Sequence, residues 1–176
     1  MTTTATPISN STTEVTAKAR LLQSFEREHA CTMKVLRAFP PDQADFTPHE
    51  RSNSARRLAS TFVGEQRLML RALKGEPVLG GGSAGMPEAW NELLDAFEQT
   101  GRAVIEQLRS PENANLAGTA TFFVAPKQTG EIPLETFVEF LLHDQIHHRG
   151  QLSVYVRMAG GKVPSIYGPT ADEPWH

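Results

Sequence analysis

Residues 133–159, PLETFVEFLLHDQIHHRGQLSVYVRMA, read as one long helix from Pro133 to about Ala159. Proline suits a first helical turn, Gly150 is the only interruption, and the Gly160-Gly161 pair offers a C-terminal stop. Phe140, His143, His147, Gly150, Val154 and Met158 recur at three- or four-residue steps, so they share one face.

Upstream, three more stretches carry the same period. Ser11 to Glu14 has the S-x-x-E form of a capping box, and Leu22, Phe25, His29, Met33 and Leu36 follow as an amphipathic stripe that ends before Pro40-Pro41. A second helix starts at Ser52 or Ser54 and runs to about Leu73, with Leu58, Phe62, Glu65, Met69 and Ala72 in line, which sets a carboxylate inside an apolar face. Residues 75–87, GEPVLGGGSAGMP, are too rich in Gly and Pro to stay helical and give the chain reach for a long crossover. A third helix takes Pro87 in its first turn, buries Trp90, Leu94, Phe97, Val104 and Leu108, and stops around Ser110-Pro111. TATFFVAPKQTGEI, 119–132, has the Thr and aromatic content of a short β-hairpin. The segment after the last helix is a turn-rich tail.

No internal repeat is present, and four amphipathic helices with one crossover can bury their stripes against one another. The expected architecture is all-α: an antiparallel four-helix bundle with the long crossover between helices two and three, and a short hairpin before helix four. At 176 residues the chain has the length of one domain, 13–176, behind a loose Thr/Ser-rich tail, 1–12.

Seventeen basic and twenty acidic residues leave a net charge of -3, which weakly repels a polyanion, so no nucleic-acid partner is expected. Arg51, Arg56 and Arg57 read as the solvated start of a helix. Cys31 is the only cysteine, which excludes an internal disulfide framework and a thiolate cluster and fits a reducing compartment. The first dozen residues lack the charge and apolar run of a signal peptide, and no run of apolar residues is long enough to span a bilayer. A cytoplasmic protein without a membrane partner is the expectation.

The chemistry concentrates in FLLHDQIHHRGQL, 140–152. His143 and His147, one turn apart, have Cβ atoms about 5–6 Å apart on one face, from which two imidazoles can meet one ion at about 2.0–2.1 Å. His148 is rotated by about 100° from His147, toward a supporting or surface role. A zincin signature needs Glu directly after its first His, and Asp144 stands there instead, which sets a metalloprotease aside. From spacing alone, a metal pair and two hydrogen-bonded rim histidines both remain open.

HDQIHHRGQLSVYVRMAGGKVPSIYGPTADE, 143–173, resembles the final helix and tail of DinB-like proteins, whose pattern is H-x-x-x-H-H-R-G-Q-L followed by R-x-x-G and V-P-x-x-Y-G. FTPHERSNSARRLASTFVGEQ, 46–66, is similar to the start of that family's second helix. The resemblance implies an antiparallel four-helix bundle, a homodimer, and a divalent metal, zinc or nickel, held by three histidines on helices two and four. It implies His143 and His147 as two ligands, whereas the helix-two ligand falls on Thr61, a poor donor for a first-row metal. Glu65, one turn further, matches the family's Glu and is the best substitute. The alternative is that Glu65 is partly buried and paired with Arg149 or Arg157.

His29 reads as a hydrogen-bonded core residue that could also reach inward, and His49 as a turn residue without a role. Arg149, Gly150 and Gln151 suggest packing and dimer contacts. Characterised relatives in the DinB-like family include thiol-dependent S-transferases, so the resemblance implies a metal-dependent enzyme that activates a thiol or water for a small-molecule substrate. The competing expectation, favoured by Thr61, is a dimeric binding or stress-response module whose metal site has degenerated. A third is that the histidines only stabilise packing.

Overall fold

The computed structural model describes residues 16–80, 85–113 and 116–175. Helix α1 spans Ala17–Ala38, and Thr16 caps it by accepting a hydrogen bond from the Ala19 amide. The capping box read at Ser11–Glu14, and the tail 1–12, lie outside the described residues. Helix α2, Ala55–Leu73, is capped by Ser54, whose side chain accepts from the Arg57 amide. Helix α3 spans Trp90–Arg109 with Ala89 as its cap residue, so Pro87 belongs to the end of the crossover and not to a first helical turn. Strands β1 (Thr119–Ala125) and β2 (Gln128–Pro133) form the expected hairpin, turning at Pro126-Lys127, where Lys127 takes φ 61. Helix α4, Leu134–Met158, follows directly.

Each of α1 and α2 packs on both α3 and α4, so α1 and α2 occupy opposite corners of the bundle. Contacts at the helix ends give the directions. Lys18 Nζ donates to Ser110 O and Trp90 Nε1 to Leu36 O, so α1 and α3 run antiparallel. Tyr155 OH donates to Asn53 O, which sets α4 antiparallel to α2. Arg56 Nη1 donates to Glu88 O, placing the starts of α2 and α3 at the same end. Two successive helices that run the same way need a connection as long as the bundle, which is why a Gly/Pro-rich crossover lies between them.

The interior is layered. One apolar cluster, around Phe25, Met69, Val104 and Phe137, lies at the hairpin end, and a second, around Phe39, Phe62, Trp90 and Phe97, at the other. Truncating a fully buried Phe such as Phe97 to Ala would cost about 3–5 kcal/mol in transfer and cavity energy. Between the clusters every helix turns polar: α1 brings Glu28, His29 and Thr32, α2 Glu65 and Gln66, α3 Thr100, and α4 Gln145 and Arg149. Most of these groups are paired, as burial requires. Arg149 Nη2 lies 2.8 Å from Glu28 Oε2, and Gln66 Nε2 lies 3.0 Å from His29 Nδ1.

Phe140, His143, His147, Gly150, Val154 and Met158 share a face of α4 as expected, and it is the outer one, with Val154 57% and Met158 54% exposed. The inward seam is Phe137, Leu141, Gln145, Arg149, Leu152 and Val156. Two polar residues in that seam disguise it, because both belong to the polar middle layer. Among the described residues, no helix is long and apolar enough to cross a membrane.

Candidate metal centre

In the middle layer, where α2 and α4 face each other, Glu65, Asp144 and His148 bring one ligand atom each to within 4.8 Å of one another. Each is placed by its helix. Glu65 projects from the same buried stripe as Phe62 and Met69, and only 4% of it is exposed. Asp144 and His148 are one turn apart on α4 and therefore neighbours, with Asp144 Oδ1 3.8 Å from His148 Nδ1. Phe62 holds the imidazole by an edge contact, ring centroids 6.4 Å apart.

His148 Nδ1 and Glu65 Oε1 share a hydrogen bond of 3.0 Å. The second oxygen, Glu65 Oε2, is buried without a hydrogen-bond partner. Burial first, and then the neighbouring Asp144 carboxyl, push the Glu65 pKa up to about 10, so the carboxyl holds a proton at neutral pH unless a cation replaces it. Side-chain exposure rises from 5% at Glu65 through 20% at His148 to 37% at Asp144, so the cluster is closed at Glu65 and open at Asp144.

Two ligands on one ion at about 2.0–2.2 Å sit no more than about 4.4 Å apart. The cluster therefore needs only small rotamer changes to converge. An orphaned buried oxygen, a second carboxylate and an imidazole form a donor set that fits a divalent cation.

Of the residues read from the sequence, the structure brings only Glu65 into this cluster. His143 and His147 are exposed on the outer face, and His147 Nε2 lies 3.0 Å from Gln151 Nε2. A single step along a helix turns a side chain by about 100°, which separates the exposed His147 from the half-buried His148. Asp144 and His148 lie two helical turns beyond Phe137 and Leu141, at the edge of the buried seam, and that spacing is the sequence signal that points to them. The arginine partners considered for Glu65 are engaged elsewhere, Arg149 with Glu28 and Arg157 with Asp172. His29 is a hydrogen-bonded core residue, stacked on Phe97 with centroids 4.5 Å apart. His49 Nδ1 accepts from the Arg51 amide within its turn.

Thr61, one turn before Glu65, donates its hydroxyl to Arg57 O. Beside it a pocket of about 240 Å³ opens along α2, lined by Arg57, Ser60, Thr61, Gly64, Glu65, Leu68 and Met86.

The helices thus form an up-down-down-up bundle with a group of possible metal ligands, Glu65, Asp144 and His148, between the second and the fourth. The chain belongs to the DinB family, whose family model matches residues 8–175. It is 30% identical over 88 residues to the uncharacterised protein YrdA of Bacillus subtilis (strain 168), and that alignment covers 50% of each chain. The chain thus spans about half the length of this curated relative. Two solved structures share the fold. A DinB-like protein from Bacillus cereus ATCC 10987 matches with a TM-score of 0.69 at 24% identity, over 84% of this chain and 95% of that one. The DinB-like protein YjoA from Bacillus subtilis matches with a TM-score of 0.64 at 20% identity, over 84% and 96%.

Proposed function

We propose that this chain is a metal-dependent enzyme that activates water or a small thiol at a divalent cation held by Glu65, Asp144 and His148. The observation that carries the reading is Glu65 Oε2, a buried carboxyl oxygen with no hydrogen-bond partner, beside two more ligand atoms. A cation bound there lowers the pKa of a coordinated water or thiol and so supplies a nucleophile near neutral pH. Glu65 anchors from the closed side, Phe62 orients the His148 ring, and the half-exposed Asp144 stands where a proton can pass to solvent. Zinc and nickel stand high in the general affinity order, while two carboxylate donors bring manganese closer than a three-histidine site would.

The test is the metal content of untagged protein. Glu65→Gln combined with His148→Ala is expected to lose the metal, and His143→Ala combined with His147→Ala to keep it. Equal content in both variants and the wild type would remove the basis for the proposal.

Thr61 favours a second reading, a family scaffold without catalysis that serves as a binding or stress-response module, because a neutral hydroxyl stands where the family has an imidazole. Chelator separates the two: a metal centre gives a chelator-dependent melting temperature, and a degenerate site does not.

A homodimer is part of the same proposal. Phe140, Val154 and Met158 leave apolar side chains on the outer face of α4, which a second copy of this chain would cover. Light scattering is expected to give a dimer mass, and Val154→Glu a monomer.

A further inference from the structure

The pocket along α2 has a composition of its own. Arg57 stands at one end, and Gly64, Leu68 and Met86 make an apolar wall with Glu65 beside it. Eight helical positions separate Arg57 from Glu65, about 12 Å at 1.5 Å per residue. A volume of about 240 Å³ falls below the roughly 300–1,000 Å³ of pockets for drug-sized ligands, so the occupant is small.

The neighbouring arginines show what is unusual about Arg57. Arg56 is pinned by Asp45 at 2.7 Å and by Glu88 O. Arg67 reaches Gly85 O and Met86 Sδ and so ties the end of the crossover down as a wall of the pocket. The Arg57 guanidinium alone of the three makes no ion pair or hydrogen bond among the described residues. Gly64 keeps the space open: a Cβ there would already lie 3.4 Å from Met86 Cε, so any larger side chain must project into the pocket.

We propose that this pocket binds a small amphiphilic carboxylate, its anionic end on the Arg57 guanidinium and its hydrocarbon part against Leu68 and Met86, with Glu65 alongside. A planar guanidinium matches a carboxylate through two parallel N–H···O bonds, and the apolar wall rewards a short chain that leaves the headgroup at the rim. The proposal rests on and deepens the metal-centre reading by giving the substrate class, since the pocket shares Glu65 with the cluster. Its walls do not themselves need a metal.

The experiment titrates hexanoate and its neutral counterpart hexanamide into the full chain, with and without prior removal of metal by chelator. Binding is followed through the Gly64 amide and Met86 methyl NMR signals. Hexanoate is expected to bind about tenfold more tightly than hexanamide, as for a charge-assisted pair against a neutral one. Arg57→Met should bring the ratio close to one while leaving metal content unchanged, and Gly64→Leu should stop both ligands. Hexanoate affinity that survives Arg57→Met overturns the proposal, as does an equal affinity of wild type for the two probes. Hexanoate binding that disappears with chelator but ignores Arg57→Met also overturns it, since the carboxylate would then be a ligand of the metal. A preference for hexanoate in protein that, untreated with chelator, neither holds metal as purified nor takes up added zinc would sink the metal centre and leave this site standing.

Discussion

Glu65 Oε1 lies 3.0 Å from His148 Nδ1 across the contact between α2 and α4, while Glu65 Oε2 faces the interior unpartnered. Burial first, and then the neighbouring Asp144 carboxyl, resist ionisation of this group and push its pKa up to about 10. A divalent cation must therefore displace a proton to bind, and apparent zinc affinity should rise by about tenfold per pH unit between pH 6.5 and 8.5 if one proton leaves. Chelator competition at several pH values measures the slope, which Glu65→Gln should flatten. In chelator-treated protein the sign for stability is opposite. The folded pKa lies above the unfolded 4.5, so the stabilisation is complete below pH 4.5 and is lost as pH rises toward about 10. A melting temperature of metal-free wild type that does not fall between pH 5 and 9 relative to Glu65→Gln would contradict this.

Thr61 gives the second prediction. It lines the same pocket as Glu65, one turn away, and contributes only a neutral hydroxyl. Thr61→His should add an imidazole to a set of one imidazole and two carboxylates, and raise zinc and nickel affinity by about tenfold, about 1.4 kcal/mol, with little gain for manganese, which prefers oxygen donors. Isothermal titration with the three metals tests it, and no gain for zinc or nickel would mean that the new ring does not reach the cluster.

What could be read from the chain and what could not divide along a physical line. Ser54, Pro40-Pro41, Ser110-Pro111 and Gly160 act through local backbone chemistry, and the ends of α1, α2, α3 and α4 fall beside them. Glu65 was legible because Phe62 and Met69 mark its stripe as buried. The face of α4 was not. Hydrophobicity cannot tell a solvated arginine from Arg149, whose charge is neutralised by Glu28 on another helix. Nor can it tell that Phe140, Val154 and Met158 lie outside. The apolar period therefore points to His143 and His147, one residue from the Asp144 and His148 that the structure sets beside Glu65.

Arg149 itself carries the third prediction. Its Nη2 pairs with Glu28 Oε2 at 2.8 Å, with both side chains 3% exposed, and Tyr167 bridges the two from the C-terminal segment. The Tyr167 hydroxyl donates to Glu28 and accepts from Arg149. Removing Arg149 leaves the buried Glu28 carboxylate with only the exposed Arg27 as a cation, Nε–Oε1 2.9 Å, so Arg149→Met should destabilise the fold in urea unfolding by less than the about 3–5 kcal/mol of a buried charge left with no partner. Glu28→Met added to it should cost much less than the sum, because no buried charge remains. Additive losses would mean that the pair is not coupled as the geometry requires.

His29 carries the last. It is stacked on Phe97, bonded to Gln66 at Nδ1, and seated directly on α3 at Gly101, where an added Cβ would lie 2.2 Å from its Cε1. Burial lowers its pKa below the ordinary 6.5, more than Glu98, with Nε2–Oε2 at 3.7 Å, raises it, and Arg102 lowers it further. A base depressed in the folded state contributes stability above the unfolded pKa, and that contribution is lost as pH falls below 6.5 toward the folded value. The wild type should lose melting temperature from pH 7 to pH 5 more steeply than His29→Gln, which keeps a polar group for Gln66 but cannot be charged. Gly101→Ala should destabilise by about 1–3 kcal/mol through overpacking, and His29→Ala in the same chain should recover part of the loss, since the ring is what the methyl strikes. Equal acid sensitivity in wild type and His29→Gln would assign the acid transition to other groups.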